Sequence, residues 1–250
     1  MDKRIVIIPT YNEKENIEKI IRYVFSLPNV FHILVIDDGS PDGTADIVKN
    51  LMPEFSDKLF LEERKGKLGL GTAYIHGFKW CIQKGYDFIF EMDADFSHNP
   101  NDLTRLYHAA CEYAADVVVG SRYCKGVNVV NWPMSRVLMS YYGSAYVRFV
   151  LRTKIQDNTA GFICYRRKIL ESINLDQIKH IGYGFQIEMK YVAAKLGFKV
   201  MEIPIIFTDR TEGTSKMSKG ILKEAIFGVL KLRLMAAFGG IEKYRKTAIN

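Results

Sequence analysis

Cysteine is scarce and scattered in this chain. The four thiols, Cys81, Cys111, Cys124 and Cys164, form no C-x-x-C pair. That spacing argues against a zinc site and a disulfide framework, and leaves reduced thiols in a cytosolic compartment as the expectation. A signal-peptide pattern is also lacking, because "MDKRIVIIPTYNE" passes almost directly from a short apolar run into turn residues. No stretch reaches the roughly 18 uncharged apolar residues of a membrane span. The nearest, "GILKEAIFGVLKLRLMAAFGG", is interrupted by Lys223, Glu224, Lys231 and Arg233; it can lie on a surface but not cross. There is no internal repeat and no low-complexity linker, so the 250 residues read as one large domain with at most an appended C-terminal element. The familiar nucleotide fingerprints fail too. "GLGTAYIHG" has Tyr74 where the dinucleotide motif needs its third glycine, and "GSPDGT" lacks the lysine of a P-loop. Taken alone, both glycine-rich stretches read as turns.

What is present is an ordinary globular composition, 48% hydrophobic and 25% charged, which excludes disorder and allows a sizeable core. Lys and Arg total 35 against 28 Asp and Glu, a net charge of +7. That excess suits phosphate-bearing ligands or an anionic membrane surface, and equally a solvated basic face. No nucleic-acid partner is expected.

Short β-rich runs alternate with helical patterns. Strands are predicted at 4–8, 32–36, 58–61, 87–91 and 115–120, and helices at 13–25, 44–51, 72–84 and 101–113, the last with Asn101 as a cap. The first helix has Ile17, Ile20, Ile21 and Val24 on one face. Near-continuous runs such as "IVII", "ILVI" and "VVVG" suit strands covered on both sides, so the expectation is an α/β fold, a Rossmann-like mostly parallel sheet flanked by helices. Past residue 120 the rhythm loosens into a helix at 134–151, irregular chain, a helix at 185–196 and a strand at 199–207.

Ligands of open α/β sheets bind beyond the carboxyl ends of the strands. Polar clusters follow those ends here: "PTYNE", "DDGSPDG", "MDAD" and "GSRY". Asp93 and Asp95 carry the most information. Two carboxylates this close repel, and a hard divalent cation, magnesium or manganese, is the natural counter-charge, bridging them to substrate phosphates. An isolated D-x-D is also a common acidic loop or helix cap, so its place at a strand end gives the pair its weight. Basic residues suited to oppose a diphosphate come later: Arg122, Arg136, Arg210 and Lys216. Arg136, on a helix, reads equally as a surface cation. A cation with basic residues around a diphosphate is a leaving-group site.

In the order "PTYNE", "VIDDGSPDGT", "GLGTAYIHG", "MDADFSHNP", "GSRY", "NWPMSR", "GYGFQIE" and "IPIIFTDRTEGTSK", residues 4–218 resemble glycosyltransferase family 2. More narrowly they resemble its dolichyl-phosphate (polyprenyl-phosphate) mannosyltransferases, the catalytic subunits of dolichol-phosphate-mannose synthase. The resemblance implies a type A glycosyltransferase fold over residues 1–218, a GDP-mannose donor and a dolichyl phosphate acceptor. The product would be dolichyl β-D-mannosyl phosphate, formed with inversion, supplying protein glycosylation and GPI anchors. Pro9, Tyr11 and Glu13 would lie against the nucleoside with Ile36 and Asp38. Asp93, Ala94 and Asp95 would hold the diphosphate and its metal, and Arg122, Arg210 and Lys216 would contact phosphates. Catalysis would rest on Asp95, Arg122, Arg210 and Lys216.

Three places depart from relatives. Ser97 stands where some carry a metal-ligating Gln, Ala160 where Ser is usual, and "CKGVNVVNWP" is poor in glycine. Residues 219–250 read as an amphipathic helix and tail, with Leu222, Ile226, Val229, Leu230 and Leu234 among cations. It serves either as a membrane-surface element or as a helix packed on its own domain. The resemblance points to a peripheral protein on the cytosolic face of the endoplasmic reticulum membrane, docked on small membrane-spanning subunits. Two other readings stand beside it: a UDP-glucose-dependent dolichyl-phosphate glucosyltransferase, and a non-catalytic nucleotide-sugar-binding module.

Overall fold

The computed structural model describes residues 2–209 and 219–246, leaving aside the side chains of Tyr183 and of residues 219–226. Five strands alternate with helices through the first half: β1 Arg4–Thr10, α1 Ile17–Phe25, β2 His32–Asp37, α2 Thr44–Leu51, β3 Leu59–Glu63, α3 Leu70–Gln83, β4 Phe88–Glu91, α4 Asp102–Glu112 and β5 Val117–Ser121. Then follow β6 Val129–Val130, α5 Met134–Leu151, β7 Ile163–Arg166, α6 Arg167–Ser172, α7 Tyr183–Lys195, β8 Val200–Pro204, β9 Phe207–Thr208 and α8 Lys219–Ala237. Short 3-10 turns lie at Leu175–Gln177 and Glu242–Tyr244.

Seven strands form one sheet in the order β3-β2-β1-β4-β7-β5-β8. All pairings are parallel except those of β7 with β4 and β5. The mostly parallel, helix-flanked sheet is thus the expected fold. Side chains alternate across the sheet with the two-residue period of a strand. Ile5, Ile7, Leu34, Ile36 and Ile89 enter a core shared with α3 and α7. Val6, Ile8, Ile33, Val35 and Phe90 enter one shared with α1 and α4. The predicted face of α1, Ile17, Ile20, Ile21 and Val24, is fully buried there.

Four expectations need correction. The first helix begins at Ile17, because Glu13 to Asn16 form a turn in which the Glu13 carbonyl accepts from the amides of Asn16 and Ile17. Asn101 occupies the N-cap position of α4 but its side chain makes no cap bond; its amide donates to the Tyr23 hydroxyl instead (2.9 Å). The strand foreseen at 199–207 breaks after Pro204, and Phe207–Thr208 pair with β6 in a separate ribbon. The irregular chain after Leu151 contains β7, which inserts between β4 and β5.

That insertion positions the site. Ile163, the first residue of β7, lies opposite both Glu91 and Val119. An antiparallel strand brings its own start to the carboxyl ends of its parallel neighbours, so the segment 157–162 arrives beside the loops after β4 and β5.

The C-terminal segment packs on the same body. Val229 and Leu232 of α8 are buried with Val147 and Leu151 of α5 and Ile187 and Tyr191 of α7. Tyr244 is 1% exposed, and the Asn174 amide donates to its carbonyl (2.7 Å). Leu222 and Ile226 lie where side chains are not described. No helix among the described residues is long and apolar enough to cross a membrane.

Candidate active site

The strand-end loops surround a cavity of about 540 Å³. Pro9, Tyr11, Glu13, Asp38, Asp93, Ala94, Asp95 and Arg122 all line it. Ile36 does not: its side chain is fully buried in the core, so it supports the cavity floor. Arg210 and Lys216 lie outside the described residues.

The loop after β2 is fixed by its own side chains. Asp37 accepts from the Ser40 amide (2.8 Å), the Ser40 hydroxyl (2.5 Å) and the Thr10 hydroxyl (2.9 Å), which ties the ends of β1 and β2 together. Asp38 accepts from Arg64 Nε at 2.7 Å and from the Leu68 amide at 3.2 Å. Thus Asp38 orders the chain at 64–68 that borders the cavity, where Lys67 lies over the Tyr11 ring at 4.9 Å. The "GLG" stretch is a close approach as well as a turn. The Gly71 amide donates to the Ile181 carbonyl (2.7 Å), and a Cβ on Gly71 would lie 2.7 Å from the His180 carbonyl oxygen.

After β4, three acids in a row of alternating residues meet three environments. Glu91 is fully buried beneath the cavity, and burial lifts its carboxyl to about 8, so it is protonated at neutral pH. Gln186 of α7 donates to it at 2.5 Å. The Asp93 side chain is 40% exposed, while its backbone amide donates to His98 Nδ1 (3.2 Å). Asp95 is 9% exposed and accepts from both the amide (3.1 Å) and the hydroxyl of Ser97. Between them Phe96 takes φ +60°, a left-handed conformation uncommon for a bulky residue and characteristic of strained functional turns.

His98 is 3% exposed and stacks on Phe162 at 4.8 Å. Burial pushes its pKa down to about 4. With Nδ1 accepting from Asp93, the neutral ring carries its proton on Nε2. It is a support for the acidic loop, with the basic nitrogen already used.

Arg122 is held by residues that sequence reasoning did not single out. Its Nε donates to Asp157 Oδ2 (2.7 Å), and a second nitrogen donates to Asp157 Oδ1 (2.6 Å) and Thr159 (2.8 Å). Burial pushes the Asp157 carboxyl up, but Arg122 outweighs burial and holds it below the usual range. Such a bidentate pair fixes the plane of the guanidinium. Arg136, an open choice between site and surface, turns into the cavity wall. It donates to Asp209 at 2.7 Å and lies 4.1 Å over the Trp132 ring. The remaining walls come from helices: Met139 and Val147 of α5, Ile187 of α7 and Val229 of α8. The sequence signals for this part were "NWPMSR", "GYGFQIE" and "IPIIFTDR", none of which marked Asp157 or Thr159.

The acidic pair suits a divalent cation. Its donors are hard carboxylate oxygens at a cavity edge, and no group of three or more His, Cys, Asp or Glu able to hold a metal occurs among the described residues. A cation held by Asp93 and Asp95 would take the rest of its shell from water and phosphate oxygens, as magnesium and manganese do.

Glycosyl transferase family 2 matches residues 5–173. The polyprenol monophosphomannose synthase of Mycolicibacterium smegmatis is 45% identical over 227 residues, 91% of this chain and 85% of that protein. The undecaprenyl-phosphate mannosyltransferase of Micrococcus luteus is 43% identical over 237 residues, 95% of this chain and 96% of its own length. Among solved structures, the glucosyl-3-phosphoglycerate synthase of Mycobacterium tuberculosis in complex with Mn2+, UDP and glucosyl-3-phosphoglycerate superposes with a TM-score of 0.66. It is 18% identical, over 93% of this chain and 80% of that one. The same enzyme with Mg2+ and UDP gives a TM-score of 0.62 at 17% identity, over 95% and 80%. The chain therefore belongs to glycosyl transferase family 2.

Proposed function

We propose that this enzyme transfers mannose from GDP-mannose to a polyprenyl phosphate with inversion, using magnesium or manganese. The observation that carries the reading is the two-sided cavity. Its strand-end side carries the acidic pair and Arg122, Arg136 at the start of α5 adds a second anchored guanidinium, and the helical wall beyond it is lined mainly by Met139, Val147, Ile187 and Val229. A nucleoside diphosphate suits the first side and an isoprenoid chain the second. The identity to two bacterial proteins named for polyprenyl phosphates and mannose supports the acceptor class and the transferred sugar, and the guanine nucleotide rests on the sequence resemblance. Dolichyl phosphate at the endoplasmic reticulum, with docking on small membrane subunits, is a narrower form that rests on the sequence resemblance. The bacterial relatives support the broader polyprenyl class.

Asp93 and Asp95 would hold the cation, which when bound offsets negative charge building on the departing diphosphate. Pro9, Tyr11 and Glu13 line the part of the cavity proposed for the nucleoside. The acceptor needs no strong general base, since a phosphomonoester with a second pKa of about 6 is already an anion at neutral pH. Its oxygen bonds to the anomeric carbon as the bond from that carbon to the diphosphate oxygen breaks, and GDP leaves with the electron pair. Arg122, held rigid by Asp157, and Arg136, braced by Trp132 and Asp209, supply fixed positive charge without reorganising during the step. Arg210 and Lys216 are proposed as further phosphate contacts.

Two packed helices supply a membrane face. α5 exposes Met134, Leu138, Tyr142 and Phe149, the last 85% exposed, and α8 exposes Phe227, Leu230 and Leu234, with Phe238, 86% exposed, just past its end. Apolar side chains clustered on helices beside an apolar cavity wall suit a protein that takes a lipid acceptor from a bilayer surface.

The test incubates the purified chain with radiolabelled GDP-mannose or UDP-glucose, polyprenyl phosphate and each metal, then counts label in the lipid phase. Label from GDP-mannose, lost on chelation, is expected. Label from UDP-glucose alone would replace the donor assignment, and donor binding without transfer would favour a binding module.

A further inference from the structure

A second cavity, of about 380 Å³, lies between α7, α8 and the turn at Glu242–Tyr244. Lys179, His180, Lys231 and Lys243 line it together with the apolar Phe227 and Met235. Glu188, the acid among its lining residues, is 1% exposed and fully engaged. It accepts from the amides of Lys179 (3.0 Å) and His180 (3.1 Å), from the Tyr244 hydroxyl (2.6 Å) and from His180 Nδ1 (2.8 Å). The carboxylate is therefore spent on holding the cavity together. Lys179 Nζ donates to the Asp176 carbonyl (2.8 Å), and Lys243 Nζ lies over the Tyr244 ring at 4.8 Å. At the cavity wall α8 carries Gly228 where the His180 ring packs in; a Cβ there would lie 2.5 Å from His180 Nε2.

We infer that this cavity binds the phosphate headgroup of an anionic membrane lipid, with the exposed side chains of α8 against the bilayer. The inference rests on the membrane-surface reading above and goes beyond it by naming a site. Three ammonium groups around one opening suit a phosphate oxyanion. Phe227, 70% exposed at the cavity edge, is followed on α8 by exposed Leu230 and Leu234. A soluble anion would leave these side chains in water, whereas a phospholipid covers them while its headgroup meets the lysines. The same helices wall the catalytic cavity. Gln186 and Ile187 of α7 face that cavity while Glu188 faces this one, and on α8 Val229 faces that cavity while Gly228 and Leu232 face this one. A bound headgroup thus steadies the wall against which the acceptor lies.

The test is co-sedimentation of the full chain with phosphatidylcholine vesicles that contain or lack phosphatidylglycerol. Wild type should prefer the anionic vesicles. Lys231→Gln with Lys243→Gln should weaken that binding about tenfold or more, at roughly 1 kcal/mol per basic residue. Lys19→Gln with Lys49→Gln, exposed on α1 and α2 over the core on the sheet's other face, should change it less than about twofold. Mannosyl transfer to a short-chain acceptor in detergent should be unchanged in both variants. That assay reports folding, and it separates failure of this site from failure of the transfer reading. Equal losses in the two variants would overturn the site in favour of diffuse attraction. So would thermal stabilisation by inorganic phosphate without any preference for anionic vesicles.

Discussion

Asp37 and Asp38 close β2 much as Asp93 and Asp95 close β4, yet the chain treats the two pairs differently. The first pair is spent within the protein. Asp37 is bound by two hydroxyls and an amide, and Asp38 forms an ion pair with Arg64 in which both side chains are 9% exposed. The second pair sits at the cavity edge on a strained turn, with Asp95 met by the amide and hydroxyl of Ser97 and the amide of Asp93 pinned to His98. Similar sequence, "DD" against "DAD", yields a brace in one place and a ligand-facing pair in the other. The partners decide it. Arg64 and the hydroxyls of Thr10 and Ser40 take up the first pair, whereas the bend after β4 leaves both acids of the second lining the cavity.

Substitutions break that comparison in graded ways. Asp95→Asn keeps the shape of the loop and removes its charge. Transfer should fall by about 10³-fold or more while the melting temperature stays near wild type, a loss typical of removing an electrostatic element from an active site. Asp38→Ala should show the reverse emphasis. It leaves Arg64 buried without its partner, costing about 3 kcal/mol of stability by denaturant titration. If Asp95→Asn unfolded the protein and Asp38→Ala did not, the two roles would be exchanged.

Glu91 sharpens the comparison through pH. Its folded pKa is raised by burial from the ordinary 4.5 to about 8. Between those values the folded state holds a proton that the unfolded state has lost, so this group's contribution is full below about pH 4.5 and fades as pH rises toward 8. The slope approaches about 1.4 kcal/mol per pH unit within that window. Glu91→Gln should remove this slope, which stability measured across the window would show; an unchanged slope would mean that Glu91 is ionised in the fold. The smallest effect should come from Ser97→Ala. Losing one hydroxyl donor to Asp95 should change the metal concentration needed for half-maximal transfer by only a few-fold, whereas direct ligation of the metal by Ser97 would show as a loss of two orders or more.

The first half of the fold was legible because parallel strands buried on both faces read as apolar runs, and because α1 repeats its apolar residues with helical spacing. β7 was not, because four residues, Ile163–Arg166, are too short to stand out from loose chain. With β7 hidden, the reversal that brings Asp157 and Thr159 to Arg122 was hidden too. Arg122 was legible as a cavity residue, but its buried carboxylate partner was not, since the two are 35 positions apart. Arg136 was ambiguous for a similar reason: its role depends on Trp132 and Asp209, which only the β6–β9 ribbon brings together.

The most direct measurement is calorimetric titration of GDP with and without manganese, in wild type and in folded Asp95→Asn. Manganese should tighten GDP binding by wild type at least tenfold and leave binding by Asp95→Asn nearly unchanged. Equal tightening by the metal in both proteins would contradict a cation held between the acidic pair and the diphosphate.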